Sequence, residues 1–112
     1  MKMVTAVIKP HKLDDVKVAL SQFGVKGLTI TEATGFGRQK GKSEVYRGTE
    51  YTIDLLPKMR VEVLCEGYDA EDVANVIMSS ARTGRIGDGK VWITEVDRVF
   101  RIRTGESDDE AL

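Results

Sequence analysis

Residues 35–58 read Gly-Phe-Gly-Arg-Gln-Lys-Gly-Lys-Ser-Glu-Val-Tyr-Arg-Gly-Thr-Glu-Tyr-Thr-Ile-Asp-Leu-Leu-Pro-Lys, and any fold the chain adopts must accommodate this stretch. It is too polar and glycine-broken for core and too long for a hairpin turn. Connections in compact domains usually run about 4–6 residues, and structureless ones beyond roughly 12–15 are typically functional or disordered. Length itself costs little, since each doubling of a loop adds only about 0.6 kcal/mol of closure entropy. Residues 36–57 therefore read as a long exposed loop kept for what it carries: Arg38, Gln39 and Lys40 between glycines, and Tyr51 near the distal part. A flexible arm presenting a tyrosine suits a handle for a partner or a modifying enzyme.

The flanks of this loop set the fold class. Residues 3–9 form a short run rich in Val, Ile and Thr that Pro10 closes, a first strand. Leu13, Val16, Ala19, Leu20 and Phe23 then fall on one helical face, with Asp14, Asp15, Lys17 and Gln22 opposite and Gly24 as the stop. Residues 28–34 alternate as a second strand that runs into the loop. Residues 58–66 resume as a third, with Met59, Val61 and Val63 on one face and Arg60, Glu62 and Leu64 on the other. Asp69 and Asp72 give an N-cap and an acidic first turn to a second helix, whose buried stripe is Val73, Val76 and Ile77 and which ends near Ala81. Residues 91–96 make a fourth strand, and 99–103 read as a short fifth. The order β-α-β-β-α-β predicts an α+β, ferredoxin-like (split βαβ) sandwich.

At 112 residues the chain reads as one domain, 1–112, large enough to bury roughly 60–70% of its unfolded surface. With 41% hydrophobic residues, disorder of the whole is excluded. The single cysteine, Cys65, suits a reducing compartment and packs most simply as a small core residue. The first residues are too short an apolar run for a signal or membrane span, so a cytoplasmic, soluble protein is expected. Seventeen basic and eighteen acidic residues leave a net charge of −1, which gives no overall field for nucleic acid. The third strand also lacks the aromatics that stack RNA bases.

Chemistry concentrates in two turns. Gly-Arg-Ile-Gly-Asp-Gly-Lys at 84–90 nearly matches a phosphate loop, but Val91 stands where a magnesium-binding Ser or Thr belongs. The run also follows a helix and opens a strand, the reverse of that motif, so no helix dipole serves it. Gly84, Gly87 and Gly89 still permit close backbone approach with amides facing inward, and Lys90 adds a charge. Residues 82–90 thus stand between two readings, a phosphate-binding turn and a turn built for geometry alone. Arg101-Ile-Arg103 favours the first, because an extended segment would point both guanidiniums to one side, with Arg38 a third cation. A catalytic set is missing: there is no Ser-His-Asp or Cys-His combination, and the lone His11 reads as a surface residue. Glu62 and Asp88 read as hydrogen-bonding or solvated acids, and Trp92 as a packed strand residue at a subunit interface.

These motifs together resemble the PII nitrogen-regulatory signal-transduction proteins over essentially the whole chain. The residues that carry the resemblance are Ile-Lys-Pro at 8–10, Gly-Arg-Gln-Lys-Gly at 37–41, Tyr-Arg-Gly-Thr-Glu-Tyr at 46–51, Leu-Leu-Pro-Lys at 55–58, Thr-Gly-Arg-Ile-Gly-Asp-Gly-Lys at 83–90 and Arg-Ile-Arg-Thr-Gly-Glu at 101–106. The resemblance implies a homotrimer, ATP or ADP in clefts between subunits, and 2-oxoglutarate beside Mg-ATP. It implies Gly87, Asp88, Gly89 and Lys90 on the nucleotide phosphates, with Gly37, Arg38 and Gln39 from the loop and Arg101 and Arg103 from the neighbouring subunit. Thr29, Glu62 and Leu64 would lie near adenine and ribose. Gln39 would join the magnesium shell, and Lys58 would meet 2-oxoglutarate with groups around Gly37, Gln39, Lys40, Gly41 and Gly87. Tyr51 resembles the nucleotidylation site, which takes UMP or AMP in different members. Implied partners are an ammonium-channel protein, a nucleotidyltransferase acting on Tyr51, and enzymes or regulators of glutamine metabolism, with a membrane reached only through a transporter. His11, Thr49 and Cys65 depart from the common pattern, and none removes a ligand. The function implied is regulatory rather than enzymatic; the rival is a small ATP-hydrolysing or phosphotransfer enzyme using the 84–90 turn.

Overall fold

Alternating side chains make the strands and a 3.6-residue stripe makes the helices. The computed structural model describes residues 1–36 and 55–112 in full, and the backbone alone of residues 43–46 and 49–52. In order come β1 (Lys2–Ile8), α1 (Leu13–Phe23), β2 (Thr29–Gly35), β3 (Ser43–Tyr46), β4 (Thr49–Thr52), β5 (Leu56–Cys65), α2 (Ala70–Ala81) and β6 (Gly89–Glu95). The main sheet is antiparallel throughout, in the order β2-β5-β1-β6. With two helices on one face, this is the expected ferredoxin-like α+β fold.

The core lies between sheet and helices. Val4, Ala6 and Ile8 of β1 and Val61 and Val63 of β5 face Val16 and Leu20 of α1 and Val73 and Ile77 of α2, all essentially without solvent contact. Cys65 is buried with them, and burial pushes its thiol pKa up. α1 ends as its glycine requires: Gly24 sits at φ 114°, and its N–H reaches the Leu20 carbonyl at 3.2 Å. At the start of α2, Asp69 holds the cap position but makes no side-chain capping bond. A single 3-10 turn (Gly67–Asp69) leads into the helix and leaves Asp69 with helical dihedrals. Phe23, expected on the buried stripe, is 42% exposed at the last turn of α1.

Two expectations are corrected. Residues 36–57 were expected to lack secondary structure, yet β3 and β4 pair as a hairpin within them, with Tyr51 opposite Glu44. Val45, Tyr46, Thr49, Tyr51 and Thr52 are β-prone residues within the two paired segments. The fifth strand at 99–103 does not form. Residues 102–104 turn instead, with the Gly105 N–H on the Arg101 carbonyl at 2.8 Å and Gly105 at φ 73°, so that Phe100 bridges back to Ser107.

Among the described residues, no helix covers the other face of the sheet. Arg60, Glu62, Leu64 and Trp92 point out from it, with the Arg60 guanidinium 5.6 Å from the Trp92 ring centroid and 3.5 Å from the Glu62 carboxylate. Trp92 is therefore 38% exposed on an open face rather than packed within this chain. Removing core volume should be felt and trimming the outer helix face should not. Ile77→Ala is expected to cost about 2–5 kcal/mol by urea denaturation, and Val18→Ala, at a 57% exposed site, less than about 0.5 kcal/mol.

Candidate functional site

The connection from α2 to β6 is shaped by an acid as much as by its glycines. Asp88 turns its carboxylate back into the turn, where Oδ2 accepts the backbone N–H groups of Thr83 and Gly84, both at 2.9 Å. Oδ1 accepts the Thr83 hydroxyl in a short hydrogen bond. With its proton given to Asp88, Thr83 Oγ1 uses its remaining capacity as an acceptor, from Lys9 Nζ at 3.2 Å and from the Arg85 N–H at 3.2 Å. Lys9 Nζ also stands 3.3 Å from Asp88 Oδ1. The Thr83 hydroxyl first, then the turn amides and Lys9, hold the Asp88 carboxyl well below the usual carboxylate range. This narrows the expectation of inward amides open to an external anion: those of Thr83 and Gly84 already serve the protein's own carboxylate.

Backbone crossing makes one glycine obligatory. Gly89 sits at φ 101° where β6 begins beside β1, and a Cβ there would lie 1.7 Å from the Val7 carbonyl oxygen. Gly84, at φ 83°, has open space around it. Lys58, near the start of β5 where the long loop returns, donates to the Gly87 carbonyl at 2.9 Å. Partial burial first, and the Lys9 charge second, lower its pKa, while Asp88 opposes them. The base of the loop and the glycine turn thus touch directly.

A cleft of about 750 Å³ opens at this junction on the bare side of the sheet, lined by Gly35, Phe36, Lys58, Gly87, Lys90 and Trp92 among others. A second groove of about 510 Å³ lies behind Gly89 and Lys90, with Ile77, Met78, Ala81 and Arg82 as walls. Lys58 and Lys90 line the first, and Lys9 stands at its turn. Asp88, the acid of the turn, is held by Thr83, Gly84 and Lys9. Such a basket favours an anion.

The remaining expected residues separate. Gly37, Arg38, Gln39, Lys40 and Gly41 lie outside the described residues. Thr29 and Glu62 face each other across β2 and β5, with Leu64 on the same side of the sheet. They stand toward the edge opposite β6, three strand spacings or about 14 Å from Thr29 to β6. Arg101 and Arg103 do not share a face of an extended segment. Arg101 bonds Glu106 at 3.1 Å and the Leu112 carbonyl at 2.9 Å, whereas Arg103 is exposed in the turn. Among the described residues no three His, Cys, Asp or Glu side chains gather as a metal site, and no helix is long and apolar enough to cross a membrane.

The profile of the Nitrogen regulatory protein P-II family matches residues 1–106. The chain belongs to the P-II family. It is 52% identical over 112 residues to Nitrogen regulatory protein GlnK of Escherichia coli (strain K12), and 54% identical to Nitrogen regulatory protein P-II of Azospirillum brasilense and of Rhizobium meliloti (strain 1021). Each alignment spans all of both chains. As a P-II protein the chain is a nitrogen-regulatory signal-transduction protein, and its relatives are named as regulators.

Within this P-II chain, Lys9 and Thr83 were not expected at the site. Both stand inside quoted motifs, next to Pro10 and Gly84, but a lysine after a strand gives no sign in sequence that its ammonium turns inward. The two turn glycines should separate in a thermal or urea melt. Gly84→Ala meets only the left-handed backbone cost, about 1–2 kcal/mol. Gly89→Ala should cost clearly more, because the end of β1 must move aside; equal effects would mean that the Val7 contact is relaxed elsewhere.

Proposed function

We propose that this protein senses nitrogen, carbon and energy status by binding ATP or ADP in the Lys58–Lys90 cleft and 2-oxoglutarate beside Mg-ATP, and that it acts through the 36–57 loop on partner proteins. The observation that carries this is the bond from Lys58 Nζ to the Gly87 carbonyl, which ties the loop's returning end to the glycine turn at the floor of a cationic cleft. A carboxylate offered to Lys58 competes with that carbonyl, so occupancy of the cleft is linked to the loop's exit. Such coupling is usually worth about 1–3 kcal/mol.

In this proposal residues 1–112 act as one cytoplasmic signalling domain. Nucleotide phosphates meet Gly87, Gly89 and Lys90, with the Asp88 side chain turned inward and its backbone toward the ligand. Thr29, Glu62 and Leu64, at the far side of the sheet, complete the site from a second copy, as do Arg101 and Arg103; a homotrimer with three shared clefts satisfies this. Magnesium arrives with the phosphates and takes Gln39 as a ligand, and Gly37, Arg38, Lys40 and Gly41 close over 2-oxoglutarate. Tyr51 is the nucleotidylation site for a dedicated transferase. An ammonium-channel protein and enzymes or regulators of glutamine metabolism are the targets.

Calorimetric titration tests this. 2-Oxoglutarate should bind when Mg-ATP is present and not when it is absent, and Lys58→Ala should weaken it about tenfold or more, the worth of a charge-assisted bond. Tyr51→Phe should leave both titrations unchanged while abolishing the mass gain on incubation with UTP or ATP and the transferase. ATP binding that is indifferent to 2-oxoglutarate would contradict the linked sensor.

A further inference from the structure

We propose that Lys9 is a positioning residue for the phosphates: it cancels the charge of Asp88, which would otherwise stand as an uncompensated carboxylate beside an anion site. This rests on the nucleotide reading of the cleft and adds a residue to it.

The geometry is specific. Lys9 follows β1 and precedes Pro10, with extended dihedrals (φ −65°, ψ 137°), and its carbonyl takes the Lys12 N–H at 3.0 Å. It is only 9% exposed, although lysine is rarely buried unless paired. Its ammonium is held by the Thr83 hydroxyl at 3.2 Å and Asp88 Oδ1 at 3.3 Å. Asp88 is the structural key of the turn, because its oxygens collect Thr83 and Gly84. A turn of this kind needs the carboxylate, and a phosphate site beside it is opposed by the same charge. Lys9 resolves the conflict from inside. The buried ammonium lets the acid organise the backbone while Lys58 and Lys90 set the sign of the cleft.

The consequence is a loss that scales with ligand charge. Nucleotide affinities of the full-length protein are measured by calorimetry for ATP, ADP and AMP, with and without magnesium. Lys9→Met should weaken ATP about tenfold or more, ADP less and AMP least, and the losses should grow as salt is lowered. Lys9→Arg should restore most of the ATP affinity. Lys9→Gln, which keeps a donor for Thr83 but carries no charge, gives the same comparison should Lys9→Met fail to fold.

Equal losses for all three nucleotides, or a Lys9→Arg variant that restores none of the ATP affinity, would overturn the inference and leave Lys9 a packing residue. A wild-type chain that binds none of the nucleotides would instead overturn the nucleotide reading, and this inference with it. Wild-type binding with charge-independent losses overturns the role of Lys9 alone.

Discussion

One carboxylate joins the three places where this chain could come apart at its functional end. Asp88 draws in the amides just after α2, stands one residue before β6, and is met by Lys9 just after β1. Without it the connection between helix and sheet would be a glycine-rich run with little to select one conformation, since each ordered residue costs about 1–2 kcal/mol of backbone entropy. The glycines make the path passable; the acid chooses it. Gly89 shows the division plainly. Its missing side chain lets β6 start against the Val7 carbonyl, and Asp88 beside it fixes the direction of entry.

The same end of the molecule gathers positive charge on a fold that is otherwise nearly neutral. Lys9 follows β1, and Lys58 and Lys90 lie in β5 and β6; the antiparallel order β5-β1-β6 brings them to one end of the sheet. Lys58 bridges to the turn through Gly87, so loop, sheet and turn share one junction. The bare face below, with Arg60 laid over Trp92, remains uncovered by this chain's helices. A P-II protein that shares its clefts between copies would cover it.

Much of this was legible in sequence because periodicity is local. Val4, Ala6, Ile8, Val61 and Val63 alternate, and Val16, Leu20, Val73 and Ile77 recur at helical spacing, so layers and core followed from neighbours along the chain. The hairpin of β3 and β4 was missed because polar residues and glycines in the run read as loop. Residues 99–103 misled in the opposite way: Val, Phe and Ile suggested a strand, yet Thr104 and Gly105 turned the segment, and Glu106 took Arg101. At the site, Lys58, Gly87 and Lys90 stand around one cleft, while the bond from Lys58 to the Gly87 carbonyl was not foreseen. Lys9 and Thr83 did not show, since a hydrogen-bond network linking residues 9, 83 and 88 is a tertiary fact that no spacing encodes.

Amide hydrogen exchange of the free protein tests the pre-formed turn most directly. If Asp88 sets the turn before any ligand arrives, the amides of Thr83 and Gly84 exchange slowly in the absence of nucleotide, and Asp88→Asn speeds both. Fast exchange of both amides in the free wild-type chain, with protection appearing only when nucleotide is added, would mean that the ligand builds the turn and would contradict the account.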